Sequence, residues 1–170
     1  MTDTLERPTT KNARKQSAPS AFTASKKLSD ALQLVLVELI ELQLQGKQAH
    51  WNVIGKNFRD LHLQLDEIID SAREFADVIA ERMRALHSVP DGRSDTVAAT
   101  TTLPAYPAGE TDTSETVDLI TARLQAVAAT ARKVHDTVDD ADPTSADILH
   151  AIIEKIEQYA WMVGAENRTP

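Results

Sequence analysis

The segment HWNVIGKNFRDLHLQLDEIIDSAREFADVIAER, residues 50–82, holds His50, His62, Asp66, Asp77 and Glu81. Imidazole nitrogen together with carboxylate oxygen is a donor set for iron and other first-row metals. At 100° per residue His62, Asp66, Asp77 and Glu81 fall within an arc of about 100°, so one helix would carry all four as a stripe. Each i, i+4 pair spans about 6 Å of helix axis, but about 16 Å separates Asp66 from Asp77, so the two pairs of one chain cannot grip one ion. The midpoint of His62 and Glu81 and the midpoint of Asp66 and Asp77 coincide, between Ser71 and Ala72. Two copies packed antiparallel about a two-fold axis there would set His62 and Asp66 of one beside Asp77 and Glu81 of the other, giving two equivalent sites. The small Ser71 and Ala72 would let the two backbones approach. His50, near the end of the preceding helix, could bring its imidazole to the same pocket. Any one of these residues alone reads more simply as part of a solvated helix face; the combination and its centred spacing point to a metal site.

These residues must be held by long helices. Apolar residues are frequent on more than one face from about Ser25 to Trp51, which implies packing inside a bundle. NVIGKN interrupts the pattern, with Gly55 suited to a positive φ and Asn57 placed to cap a second helix running to about His87. Residues 88–112 contain three Pro and read as a long crossover with one short helical turn near Val97–Thr101. The Thr/Ser cluster at 111–114 opens a third helix to about Asp139. Asp142 with Pro143, or Thr144 with Asp147, opens a fourth that reaches roughly Glu166. Four helices with one long loop between the second and third predict an all-α, ferritin-like four-helix bundle with one long crossover. The expected organisation is an arm over 1–24, the bundle over 25–166 and a short tail over 167–170. Gly46 within the first helix costs about 1 kcal/mol relative to Ala, so close packing or a local opening is expected there. Arg73, Arg82 and Arg84 are expected in salt bridges along the second helix, for example Asp70 with Arg73.

The 170-residue chain fits one domain. It has no Cys, which excludes thiol catalysis and thiolate–metal scaffolds and is compatible with a reducing cytoplasm. LQLVLVELIELQL, the most apolar stretch, is too short and too polar to span a bilayer, and no secretory signal is seen. The formal net charge is −8. Arg7, Lys11, Arg14 and Lys15 against Asp3 and Glu6 give residues 1–20 a net +2, leaving −10 for the remainder. A mildly basic arm thus precedes an acidic body that attracts cations and disfavours nucleic acid over most of its surface.

The stretch KQAHWNVIGKNFRDLHLQLDEIIDSAREFADVIAER strongly resembles the signature of the Dps family, ferritin-like proteins of starved cells. Lys47, His50, Trp51, Asn52, Gly55, Phe58, Leu61, His62, Asp66, Asp77, Ala80, Glu81 and Arg82 carry the match. The resemblance implies a hollow dodecamer built on two-fold dimers, which oxidises Fe(II), usually with hydrogen peroxide in preference to oxygen, and stores the Fe(III) mineral inside. It implies His50, His62 and Asp66 of one subunit as metal ligands with Asp77 and Glu81 of the two-fold mate. Trp51 would be the aromatic residue near the iron site; a packed helix-end aromatic is the alternative. Acidic residues at the start of the fourth helix, Asp147 with Asp142 and Asp139, resemble those lining iron-entry pores, and helix capping would explain them too. A conventional ferritin would need Glu-x-x-His motifs. There is none; Asp147-x-x-His150 is the nearest. His87, His135 and His150 show no partner pattern and default to structural or surface roles. The alternatives to iron oxidation are a DNA-compacting, nucleoid-associated protein acting through Arg7, Lys11, Arg14 and Lys15, with affinity raised by many copies on one shell, and a metal-dependent amide or ester hydrolase. No membrane association is expected.

Overall fold

The computed structural model describes residues 21–169. Four long helices form the bundle: α1 (Lys26–Asn52), α2 (Phe58–Ala85), α4 (Thr113–Ala141) and α5 (Pro143–Gly164), with a short α3 (Ser94–Thr100) in the crossover. α1 pairs with α2 and α4 with α5, and the two hairpins close on each other through α1 against α4 and α2 against α5. Leu32, Leu39, Leu65, Ile69, Ile120, Leu124, Leu149 and Ile156 are among the buried side chains that fill the space between them. This is the all-α, ferritin-like bundle that the helical periodicity predicts.

Helix starts follow local chemistry. The Ser25 hydroxyl accepts from the Leu28 amide at 3.2 Å and Asp112 accepts from the Glu115 amide at 2.9 Å, each satisfying a donor that the first helical turn leaves free. Asn57 stands before α2 but does not cap it with its side chain. Its φ is +61°, and its amide nitrogen donates instead to Glu166 at 2.5 Å, tying the start of α2 to the C-terminal end of the chain. Gly55 takes a φ of +113°, as expected. Gly46 is a point of close packing: a Cβ there would lie 2.9 Å from Cγ1 of Ile69 on α2.

Among the contacts that fasten the crossover, three leave no mark in the sequence pattern. Val53 and Ile54 (β1) pair in parallel with Thr111 and Asp112 (β2), too short a ladder to leave a periodicity. Glu38, 1% exposed in the middle of α1, accepts from the Thr101 hydroxyl and from the Thr102 amide and hydroxyl. Arg123, 2% exposed on α4, donates to Gln45 on α1 and to the carbonyls of Pro104 and Ala105. Burial pushes the Arg123 guanidinium down from its ordinary pKa. These acceptors, with the Leu119 carbonyl, offset that burial, as a buried cation requires. No helix among the described residues is long and apolar enough to cross a membrane.

Candidate metal centre

The end of α1 lies against the start of α2, and this brings His50 and His62 face to face, ring centroids 3.7 Å apart and nearly parallel. Each ring's Nδ1 lies 3.0 Å from the main-chain carbonyl of the other histidine. A carbonyl only accepts, so in both rings Nδ1 carries the proton and Nε2 keeps its lone pair. Bonds of this kind fix a metal-binding histidine in one tautomer and one orientation. Asp66, one turn beyond His62, has Oδ1 at 3.3 Å from Nδ1 of His50. The Lys47 ammonium, 2.6 Å from the same oxygen, holds the Asp66 carboxyl below its ordinary pKa against an opposing push from burial. His50 is nearly buried, while His62 and Asp66 are half-buried and open to one side. Phe58 covers His62 at a ring distance of 5.1 Å.

Asp77 and Glu81 stand farther along α2, exposed, and neither enters an ion pair among the described residues. Asp77 borders a groove of about 660 Å³ with Leu36, Ile40, Asp70 and Arg73. No three His, Asp or Glu side chains among the described residues are grouped so as to enclose a metal. One chain therefore displays His50, His62 and Asp66 at one level of α2 and Asp77 and Glu81 at another. Ala72 is not part of the outward stripe; it is fully buried in the chain's own core. At 100° per residue, positions 71 and 72 point well away from the stripe, whose middle is occupied by Asp70 and Arg73.

The family model for the ferritin-like domain matches residues 29–169. The chain is 37% identical over 156 residues to the DNA protection during starvation protein 2 of Deinococcus radiodurans, over 89% of this chain and 64% of that one. It thus spans just under two thirds of that relative's length. It is 36% identical over 131 residues to the DNA protection during starvation protein of Agrobacterium fabrum, over 76% of this chain and 81% of that one. The crystal structure of a Dps from Deinococcus radiodurans superposes with a TM-score of 0.82 at 37% identity, covering 85% of this chain and 88% of that one. The chain belongs to the Dps family.

Lys47 is the residue of this Dps centre that metal-ligand spacing does not flag, since a cation is the wrong type for a ligand; its signal is its place one turn before His50. Trp51 is 70% exposed and so is not packed at the helix end within its own chain. Of the three acids near the start of α5, Asp139 and Asp147 are exposed. Asp142 is engaged: Arg82 donates to it at 2.8 Å and the Ser145 hydroxyl also donates to it. Arg82 thus pairs across to the α4–α5 corner instead of along α2, Arg84 donates to the Ser88 carbonyl, and no Asp70–Arg73 ion pair forms among the described residues. Arg7, Lys11, Arg14 and Lys15 lie outside the described residues.

Proposed function

We propose that two copies of this Dps chain, antiparallel along α2, complete paired sites that oxidise Fe(II), with His50, His62 and Asp66 from one copy and Asp77 and Glu81 from the other. The observation that carries this reading is the reciprocal lock on the two imidazoles, which leaves both Nε2 atoms as ready donors beside an ionised Asp66. Two imidazoles and one carboxylate fall short of a full octahedral shell, and the second copy's carboxylates supply further oxygen ligands. Fe(II) is here the substrate. Two Fe(II) each give one electron to one hydrogen peroxide, the O–O bond breaks heterolytically overall, and with two protons the products are two Fe(III) and two waters. No hydroxyl radical is released, and DNA is spared without being touched. Fe(II) enters a hollow dodecameric shell by way of Asp139 and Asp147, with Asp142 holding the corner that presents them, the ferric product is stored inside, and Trp51 stands near the site as a sink for stray oxidising equivalents. The setting is the cytoplasm.

The reading is tested by stopped-flow oxidation of Fe(II) with peroxide, using the assembled protein and its His62→Ala and Asp66→Asn variants. Removal of a ligand should slow oxidation at least about ten-fold, while native mass spectrometry shows the oligomer unchanged. Rates equal to the parent's in both variants would remove the assignment.

A further inference from the structure

A second pair of imidazoles lies on the α4–α5 hairpin, sharing neither a cavity nor a contact with His50 and His62. His135 on α4 and His150 on α5 have their Nε2 atoms 2.7 Å apart, with ring centroids 4.7 Å apart. Each ring is backed by a carboxylate: Asp136 Oδ1 lies 3.1 Å from Nδ1 of His135, and Asp147 Oδ1 lies 3.6 Å from Nδ1 of His150. The ionised Asp136 carboxylate only accepts, so it favours the proton on Nδ1 of His135 and turns that ring's lone pair out at Nε2. The 3.6 Å between Asp147 and His150 is too long for a hydrogen bond and leaves His150 free to present either an N–H or a lone pair at Nε2. The short Nε2–Nε2 distance is met either by a proton that His150 donates to His135 or by a metal ion that takes that proton's place between two lone pairs.

The surroundings favour a metal. The pair opens into a cavity of about 490 Å³, also bordered by Arg132, Glu154 and Glu157. Glu157 is held by both donors of Arg132, at 2.6 and 2.9 Å. Glu154, one turn beyond His150 on the same helix and bordering the same cavity, is in no ion pair among the described residues. We propose that His135 and His150 form a second metal site, suited to late first-row divalent ions of the zinc and copper class, with Glu154 and water completing the shell. Zinc–nitrogen bonds of about 2.0–2.1 Å in a tetrahedron put the two nitrogens about 3.3 Å apart, so the rings must part by about 0.6 Å. His150 supplies that movement, since its side chain is 60% exposed. Imidazole donors suit zinc and copper, which stand above Fe(II) in the ordinary order of divalent affinities.

The test is equilibrium dialysis of the assembled full chain against Zn²⁺, comparing the parent with H135Q, H150Q and H62A, with circular dichroism to verify folding. The parent should bind about one more zinc per chain than either H135Q or H150Q, and H62A should retain that zinc, which keeps failure here distinct from failure of the iron reading. Parent-like zinc content in H150Q overturns the site, as does a loss confined to one of the two Gln variants when both fold. Because His150 is exposed, H150Q alone decides if half-buried His135 cannot be replaced without unfolding the chain.

Discussion

At the scale of single residues, donor type and spacing identified the histidines and carboxylates, and contact geometry determined what each can do. The tautomer of His50 and His62 follows from which carbonyl each Nδ1 meets, a fact set by where α1 ends against α2. His135 and His150, fifteen positions apart, show no ligand pattern in sequence because their meeting depends on the length of the α4–α5 turn. Asp142 is the residue whose pH behaviour is best defined. Burial pushes its carboxyl up, but the Ser145 hydroxyl and the Arg82 guanidinium outweigh that and hold it below its ordinary 3.8. A group whose folded pKa is depressed stabilises the fold fully above the ordinary value, and that contribution is lost as pH falls through the folded value. Arg82→Met should therefore cost about 1–3 kcal/mol near neutral pH and make the further loss of stability below about pH 4 shallower. Urea unfolding across that pH range, at fixed protein concentration, checks both; a parent-like acid slope would refute the pairing as its source.

At the scale of elements, α1 does more than contribute apolar surface. Its buried Glu38 anchors the crossover through Thr101 and Thr102, and its Gly46 admits Ile69 of α2. Glu38 reads in sequence as an interruption of an apolar helix, because periodicity records which face is buried and not which polar group waits there. Glu38→Ala should leave one amide and two hydroxyls without their acceptor, costing at least about 2 kcal/mol. Limited proteolysis should then cut the 86–110 segment faster than in the parent, with Glu38→Gln intermediate. Equal cleavage rates for parent and Glu38→Ala would show that the crossover is held elsewhere. The four long helices and the single long connection were legible because periodicity and Pro punctuation are local signals. The β1–β2 pairing was not, since two residues have no period and their partner lies far along the chain.

At the scale of the whole molecule, the proposed iron site belongs to a pair of chains, and this has a consequence no intrachain site shares. In a mixed pair of Asp66→Asn and Glu81→Gln chains, one interface site carries both substitutions and the other carries neither. Dissociating the two inactive variants and reassembling them together should restore about a quarter of the parent's oxidation rate, since half of randomly formed pairs are mixed and each regains one site of two. No recovery, despite mixed oligomers seen by native mass spectrometry, would place the site within one chain. The sequence by itself determined the helix count, the crossover, the acidic body with its basic arm, and the spacing of the His62/Asp66 and Asp77/Glu81 pairs, because all of these are written in local periodicity and in residue type. Only the tertiary structure decided that Ala72 serves the chain's own core, that Lys47 holds Asp66, that Arg82 reaches Asp142, and that His135 meets His150. Each is a contact between residues on different turns or different helices, and its distance is set by how whole helices pack.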